Sequence, residues 1–325
     1  MLIMEFFKDK HILVTGAAGF VGSHLVDSLL GFGAKVTGVD NLITGSRANI
    51  GHLRDNENFT FIEADASEKP ESYLPEEIKL NLVLHFASPA SPPRYQENPI
   101  ETYLVNSQGT HNLLQFLKSN LPNAHFLFAS TSEVYGDPIE HPQREDYWGN
   151  VNPNGVRSCY DEAKRMGETI CGVHQREFGM DVRIVRIFNT YGPRMDMSDG
   201  RIIPNFISQV RTNQPITIYG DGSQTRSFCY VSDLVQGILL MASKPNLSGE
   251  TMNLGNPHEE LSILQTAETI KKVLGKPELQ LEFKELPGDD PTRRKPDITK
   301  AQLLLGWEPK VGFVEGIKSV LTSFS

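Results

Sequence analysis

The chain has 325 residues, 31 of them Lys or Arg and 40 Asp or Glu, giving a formal charge of −9. With no long basic run, that balance argues against nucleic acid as the main partner. Hydrophobic residues make up 39% of the chain, enough for a sizeable core, yet no apolar stretch approaches the roughly 18 residues of a membrane span.

Cys159, Cys171 and Cys229 form neither a paired framework nor a CxxC motif, as expected in a reducing compartment. The opening segment through Lys8 sets Glu5 inside a very short apolar run and does not read as a secretion signal. No internal repeat or low-complexity linker is evident. A soluble, cytoplasmic, globular protein is expected, with one large domain or two closely joined ones.

His11–Thr15 is a short apolar run with the character of a buried strand. Gly16-x-x-Gly19-x-x-Gly22 follows and opens an apolar-periodic segment, Val21 to Leu30. Strand, glycine turn and helix together make the context in which such a turn binds a dinucleotide. Gly16 permits the tight turn, Gly19 lets backbone approach a pyrophosphate, and Gly22 lets helix and strand pack closely. Free N–H groups at the helix start hold the phosphates. The second strand, Lys35–Asp40, ends in a carboxylate 18 residues after Gly22. An Asp there accepts hydrogen bonds from the adenosine ribose and repels a 2′-phosphate, so NAD rather than NADP is expected. Arg47 lies beyond the strand end and does not overturn that reading.

Phe59–Glu63 reads as the third strand. Asp65 after it is either a holder of the adenine amino group or a simple turn residue. Leu82–Phe86 reads as the fourth strand, bringing Ala87 and Ser88 to the cofactor edge, and His85 reads as a core histidine rather than a ligand. Ser88–Pro93 is a turn-rich loop at a strand's carboxyl end, where open α/β sheets bind ligands. A helix is expected over about 98–120. His125–Ser130, the fifth strand, runs into Thr131, Ser132 and Glu133, which present two hydroxyls and a carboxylate.

The next helix carries Tyr160 and Lys164 and is expected to reach about Glu177. Four residues apart, the two side chains lie on one helix face. A neighbouring Lys⁺ eases ionisation of a phenol. From its ordinary ~10, the pKa must fall by roughly 3 units, about 4 kcal/mol of charge stabilisation, to make a base at neutral pH. A desolvated ammonium and a nicotinamide cation can supply that together. The same spacing occurs on any solvated helix, so the pair takes its meaning from the residues around it. Asp181–Ile187 reads as the sixth strand, and the alternation of strand and helix implies a doubly wound, mainly parallel sheet.

Past Ile187 the pattern changes. Asn189–Arg194 and Met195–Arg201 read as a long loop, Pro204–Arg211 as a helix, and Ile216–Tyr219 as a short strand before a Gly220-Asp221-Gly222 turn. Ser227–Val231 and Glu250–Leu254 are expected to return to the main domain. Helices are expected near Ser262–Leu274 and Val314–Thr322. Between them, Arg293, Arg294 and Lys295 in the stretch Pro287–Asp297 either face an anionic ligand or form a solvated loop. The nine histidines are scattered without ligand spacing, so no metal site is expected.

The glycine turn, Asp40 and Tyr160-x-x-x-Lys164 together resemble the extended short-chain dehydrogenase/reductase family. A narrower resemblance, to the UDP-glucuronate decarboxylases or UDP-xylose synthases, runs along nearly the whole chain. In the first half it rests on Ala87–Pro92, Ser130–Pro138, His141–Gln143, Glu145–Gly149 and Val151–Pro153. Further on it rests on Arg186–Thr190, Gly192–Met195, Asp199–Arg201, Gly222–Arg226, Tyr230–Leu234, Asn253–Pro257, Arg294–Asp297 and Leu305–Pro309. Tyr103–Asn120 and the short N-terminal extension depart from it.

The resemblance implies an α/β fold, a doubly wound, mainly parallel Rossmann sheet with a smaller C-terminal α/β substrate domain. Residues 1–189, with roughly 227–256 returning, would bind NAD; residues 190–226 and 257–325 would bind a nucleotide sugar. NAD is expected along Gly16, Gly19, Phe20, Val21, Gly22, Asp40, Asn41, Asp65, Ala66 and Ala87, with Tyr160 and Lys164 at its nicotinamide end. The implied substrate is UDP-glucuronate. Oxidising its C4 hydroxyl makes a β-keto acid, CO2 leaves, and hydride return gives UDP-xylose.

In that scheme Tyr160 takes the hydroxyl proton, while Lys164 lowers its pKa and binds the nicotinamide ribose. Thr131 bonds the same sugar oxygen and helps stabilise the enolate. Ser132 stands where related 4,6-dehydratases carry an acid and cannot readily replace it. Glu133 orders the sugar or a proton-carrying water. Arg294 engages the substrate carboxylate or protonates C5 through water, since direct donation is the weaker route for a group with a pKa above about 12. Arg226 is the pyrophosphate candidate, Asn189 holds phosphate or sugar, and Tyr219 brackets the uracil. Arg201 touches pyrophosphate or cofactor, or stays at the surface. The alternative is a UDP-uronate 4-epimerase or another epimerase or dehydratase of the same family. Fold analogy implies a homodimer through the helix in Tyr103–Asn120.

Overall fold

A computed structural model describes residues 3–286, 288 and 291–322. Met1 and Leu2, in the segment read as no secretion signal, Pro287, Asp289 and Asp290, in the cationic stretch, and residues 323–325 lie outside the described residues. In chain order the first elements are α1 (Ile3–Phe7), β1 (His11–Thr15), α2 (Phe20–Gly31), β2 (Lys35–Asp40), β3 (Phe59–Glu63) and β4 (Leu82–His85). Next come α3 (Pro92–Glu97), α4 (Pro99–Leu104), α5 (Thr110–Asn120), β5 (His125–Thr131), α6 (Ser158–Phe178) and β6 (Val182–Ile187). The rest are β7 (Thr190–Tyr191), α7 (Ile202–Arg211), β8 (Ile216–Tyr219), β9 (Thr225–Ser227), β10 (Cys229–Tyr230), α8 (Val231–Ser243) and β11 (Thr251–Leu254). They continue through β12 (Glu260–Ser262), α9 (Ile263–Val273), β13 (Leu281–Lys284), β14 (Arg293–Arg294), α10 (Thr299–Leu305) and α11 (Phe313–Thr322).

Seven strands form one sheet in the order β3-β2-β1-β4-β5-β6-β11, and every pairing is parallel. The order reverses between β1 and β4. At such a switch point the ligand crevice opens beyond the carboxyl ends of the strands. Successive strand residues feed opposite faces. Ile12, Val14, Leu82, Leu84 and Leu127 join α2, α8 and α10 in one core. Leu13, Val83, Phe126 and Phe128 join α5 and α6 in another. Covered on both faces, these strands read as continuous apolar runs, which is why they stand out in the sequence. A third core gathers Ile207 and Val210 of α7, Ile216 and Ile218 of β8, Ile270 of α9 and Ile317 of α11.

The helix expected over 98–120 is instead two helices, α4 and α5, joined by a π-turn at Val105–Gly109. The side chains of Thr102, Asn106 and Thr110 each donate to the carbonyl four residues back, a habit that loosens the helical ladder. The loop expected at Ser88–Pro93 already turns into α3 at Pro92. The stretch Ser227–Val231, expected to return to the main domain, is divided between two small sheets. Thr225–Ser227 lies between β12 and β14, and Cys229–Tyr230 pairs with β7 within the stretch read as a loop.

Helix α8 exposes a narrow edge at Ser232 and Gln236, while Val231, Leu234, Val235, Ile238, Leu239, Met241 and Ala242 bury the rest of it. Arg183 of β6 closes its end, donating to the carbonyls of Met241, Ala242 and Lys244 at 2.6, 3.1 and 2.8 Å while Asp181 holds the guanidinium. Among the described residues, no helix is long and apolar enough to cross a membrane.

His85 ends β4 in the core. Its Nδ1 lies 2.7 Å from the Thr15 hydroxyl and its Nε2 lies 3.1 Å from the Val105 carbonyl. A carbonyl only accepts, so Nε2 carries the proton and Nδ1 accepts from Thr15. Burial, with Lys164 nearby, pushes the imidazole down to about 3. The unfolded chain therefore takes up this proton first on acidification, and stability should fall as pH drops from about 6.5 towards 3. Thermal unfolding across that range should decline less steeply in His85→Gln than in the parent.

Candidate active site

The crevice at the switch point is a cavity of about 920 Å³. Gly16 has a φ of +75°, and a Cβ there would press on the Phe86 carbonyl carbon and oxygen at 2.7 Å. A Cβ at Gly22 would run into the Gly16 carbonyl. Gly19 precedes α2 without a side-chain cap, so the first N–H groups of that helix are left for a ligand. Asp40 accepts from the N–H groups of Ala18 and Leu42 at 2.9 and 2.8 Å. Burial pushes its carboxyl up, and these donors restrain the rise. Arg47 pairs with Glu63, the residue beside Asp40 in the register of β2 and β3. Asp65 accepts from Ser67 N–H at 2.8 Å and from the Asn41 amide at 3.4 Å.

At the other end of the cavity, β5 stops at Thr131, whose hydroxyl accepts from Glu133 N–H at 3.2 Å and caps a short 3₁₀ turn. Tyr160 and Lys164 reach the cavity wall from α6. The Tyr160 ring stacks on Tyr95 of α3, with centroids 5.0 Å apart and planes 2° from parallel. Lys164 donates to the Ala129 carbonyl at 2.6 Å, and burial pushes it down to about 7. Burial also pushes the Tyr160 phenol up, with Thr131 and Arg201 easing it. The lowering expected of Tyr160 draws on Lys164 and a nicotinamide cation together. In the protein's own field desolvation wins, and the amine spends a hydrogen bond on β5.

Glu133 is held between two guanidiniums. Arg157, one turn before Tyr160, donates Nη2–H to Oε2 at 2.5 Å. Arg294 of β14 lies 3.0 Å from Oε1 through Nη1 and donates to Oε2 through Nη2 at 3.2 Å. Arg294 also donates to the Ser132 hydroxyl at 2.9 Å and the Gly136 carbonyl at 2.8 Å. Burial alone would raise the Glu133 carboxyl, but Arg294, Arg157 and Arg226 outweigh it and hold the group ionised. Asp161, the first acid of α6, moves the other way through burial and the charge of Glu133.

Gly16, Gly19, Phe20, Val21, Gly22, Asp40, Asn41, Asp65, Ala66 and Ala87 all line this cavity, as do Thr131, Ser132, Glu133, Tyr160, Lys164, Asn189, Arg201, Tyr219 and Arg226. Arg294 does not. It is 2% exposed and stands behind Glu133, neither a solvated loop residue nor a wall residue. Arg226 of β9 donates to the Thr225 carbonyl at 2.9 Å, and Arg201 is held by Asp199 at 2.7 Å. Tyr95 and Arg157 also line the cavity and were missed in the sequence reading. Arg157 had a signal, since a residue three before Tyr160 shares its helix face. Tyr95 had none, because its place depends on how α3 packs. Among the described residues, no group of three or more His, Cys, Asp or Glu is placed to hold a metal ion.

Residues 12–255 match the NAD dependent epimerase/dehydratase family. The chain is 49% identical over 317 residues to UDP-glucuronic acid decarboxylase 1 of Arabidopsis thaliana, covering 98% of this chain and 70% of that protein. It is 50% identical over 318 residues to UDP-glucuronic acid decarboxylase 1 of Xenopus tropicalis, covering 98% and 73%. An epimerase of Methanothermobacter thermautotrophicus superimposes with a TM-score of 0.89 at 29% identity, covering 100% of this chain and 95% of that one. UDP-glucuronic acid 4-epimerase of Bacillus cereus, in complex with UDP-glucuronic acid and NAD, gives 0.85 at 30% identity, covering 97% and 100%. With that match added to the parallel sheet and its glycine cradle, the chain belongs to the NAD-dependent epimerase/dehydratase family of extended short-chain dehydrogenases/reductases.

Proposed function

We propose that the protein decarboxylates UDP-glucuronate to UDP-xylose with bound NAD, through a transient 4-keto sugar. The likeness to decarboxylases over 98% of the chain carries this reading. The ionised Glu133 in the cavity wall adds chemical support. The residues present fit a dinucleotide: side chains at Gly16 or Gly22 would collide with the backbone that shapes the cradle, Asp40 ends β2, and Glu63 takes up the charge of Arg47. The chemistry NAD supplies when bound is reversible hydride acceptance, which lets the sugar's C4 become a ketone and return.

Tyr160 removes the C4 hydroxyl proton. Burial favours the neutral phenol, so this transfer relies on positive charge nearby, to which Arg201 contributes. Lys164, an amine near its titration point, is suited to hold the cofactor ribose and to pass a proton. Thr131 bonds the same sugar oxygen and steadies the enolate once CO2 has left. Arg294, held in turn by the Ser132 hydroxyl, fixes Glu133, whose negative charge faces the sugar. Arg294 acts through Glu133 as a positioning residue, because it lies outside the wall. Arg226, Asn189, Tyr219 and Arg201 hold the UDP moiety. Residues 1–189 with roughly 227–256 serve NAD, and 190–226 with 257–325 serve the nucleotide sugar. A cytoplasmic location suits three unpaired thiols.

We also propose a homodimer. Ile100 and Tyr103 of α4 and Met166 of α6 are 55%, 44% and 51% exposed, on helices that pack together. Covering such side chains is a common reason for a second copy to bind. Sedimentation should give a dimer, and Met166→Glu should shift it towards monomer.

Purified protein given UDP-glucuronate should release CO2 and form UDP-xylose. A product that keeps its carboxylate would assign the chain to the uronate 4-epimerases instead. Tyr160→Phe should still bind NAD while losing turnover by roughly a hundredfold or more, as removal of a general base does. Asp40→Ala should weaken NAD binding by roughly tenfold or more, the worth of a hydrogen bond to a charged group, and leave NADP binding little changed. Fluorescence titration with both dinucleotides reads that difference.

A further inference from the structure

Asp161 sits one residue past Tyr160 and has no part in the mechanism above. It is 6% exposed, and its Oδ1 is buried without a hydrogen-bond partner among the described residues. Its Oδ2 stands 3.8 Å from Arg157 Nε, beyond hydrogen-bond length. Arg157 meanwhile donates to Glu133 at 2.5 Å, and Arg294 holds Glu133 from the other side. A buried carboxylate with a bare oxygen is costly, and protonation is the cheaper state. Arg157 is already engaged by Glu133, and a second carboxylate beside the same guanidinium does not ionise readily next to the first, so the two titrate as a pair.

We propose that Glu133 and Asp161 carry one negative charge between them across Arg157, with the proton kept on Asp161, and that this proton is what leaves Tyr160 free to ionise. The role of Tyr160 rests on the functional reading above; the shared charge does not. Among the described residues, the groups facing Asp161 are Glu133, Arg157 and Arg294, Glu162 on its own helix, the phenols of Tyr160 and Tyr95, and the Cys159 thiol. Burial and then Glu133 push Asp161 up, against Arg157 and Arg294. Negative charge on Asp161 in turn pushes the Tyr160 phenol up. As pH rises, Asp161 gives its proton to bulk water. Its new charge then competes with Glu133 for Arg157 and opposes a phenolate next door. Asp161 is accordingly a positioning residue, and its ionisation forms the alkaline limb of activity.

Difference infrared spectra between neutral pH and about pH 10 test this on the NAD-loaded protein. The parent should show a protonated carboxyl band that disappears with rising pH, and Asp161→Asn should lack it. In Glu133→Gln the band should vanish at lower pH, because the like charge is gone. That variant decides the matter if Asp161→Asn does not fold. The alkaline limb of CO2 release, falling up to about tenfold per pH unit in the parent, should move up by at least about one unit in Asp161→Asn. A parent without the band, a band unchanged in Asp161→Asn or Glu133→Gln, or an unmoved alkaline limb would each overturn the proposal. A parent that shows the band but releases no CO2 would defeat the functional reading and leave the shared charge standing.

Discussion

The carboxylate of Glu133 ties three distant segments to one point. It stands on the turn after β5, receives Arg157 from the start of α6, and receives Arg294 from β14. Burying an ionised carboxylate costs several kcal/mol unless donors and countercharge come with it, and removing one partner of such a pair is strongly destabilising. The clamp therefore sets where α6 begins, and so where Tyr160 stands. It also fixes β14, and through its pairing with β9 the backbone that carries Arg226. Tyr160 and Arg226 on the cavity wall inherit their positions from one buried charge.

A second buried network steadies the opposite side of the same turn. Glu168 of α6 takes Arg186 through both oxygens at 2.9 and 2.8 Å, and also accepts from Ser130 at 2.6 Å. Arg186 donates to the Tyr135 hydroxyl, which donates to Asn253 of β11. Satisfied networks of this kind rigidify their surroundings, because each member left alone would be unpaired in a low dielectric. Together the clamp and the network hold the β5 terminus on two sides, so Thr131, Ser132 and Glu133 face the cavity from a fixed base.

The same burial that makes those ion pairs effective works against the charged forms of Tyr160 and Lys164. Tyr160 and Lys164 both shift towards their neutral forms, for one reason. A phenol and an amine without ready access to water stay uncharged until something charged comes close. The site is electrostatically poised, and its acids and bases respond to one another more than to bulk pH.

Much of this molecule is legible in its residues. The strands up to Ile187 emerge because a sheet buried on both faces demands unbroken apolar runs, and the glycine turn, Asp40 and the Tyr160–Lys164 pair emerge because each is set by geometry within one segment. Tertiary structure alone decided the rest. It broke the helix at Val105–Gly109, revealed α8 as a helix buried on all but a narrow edge, and took Arg294 out of the cavity wall while bringing Arg157 and Tyr95 into it. The physical reason is range. Hydrogen bonding and periodicity within a segment leave a local trace, whereas the partners of Glu133 lie 24 and 161 residues away and meet only once the sheet has closed around them.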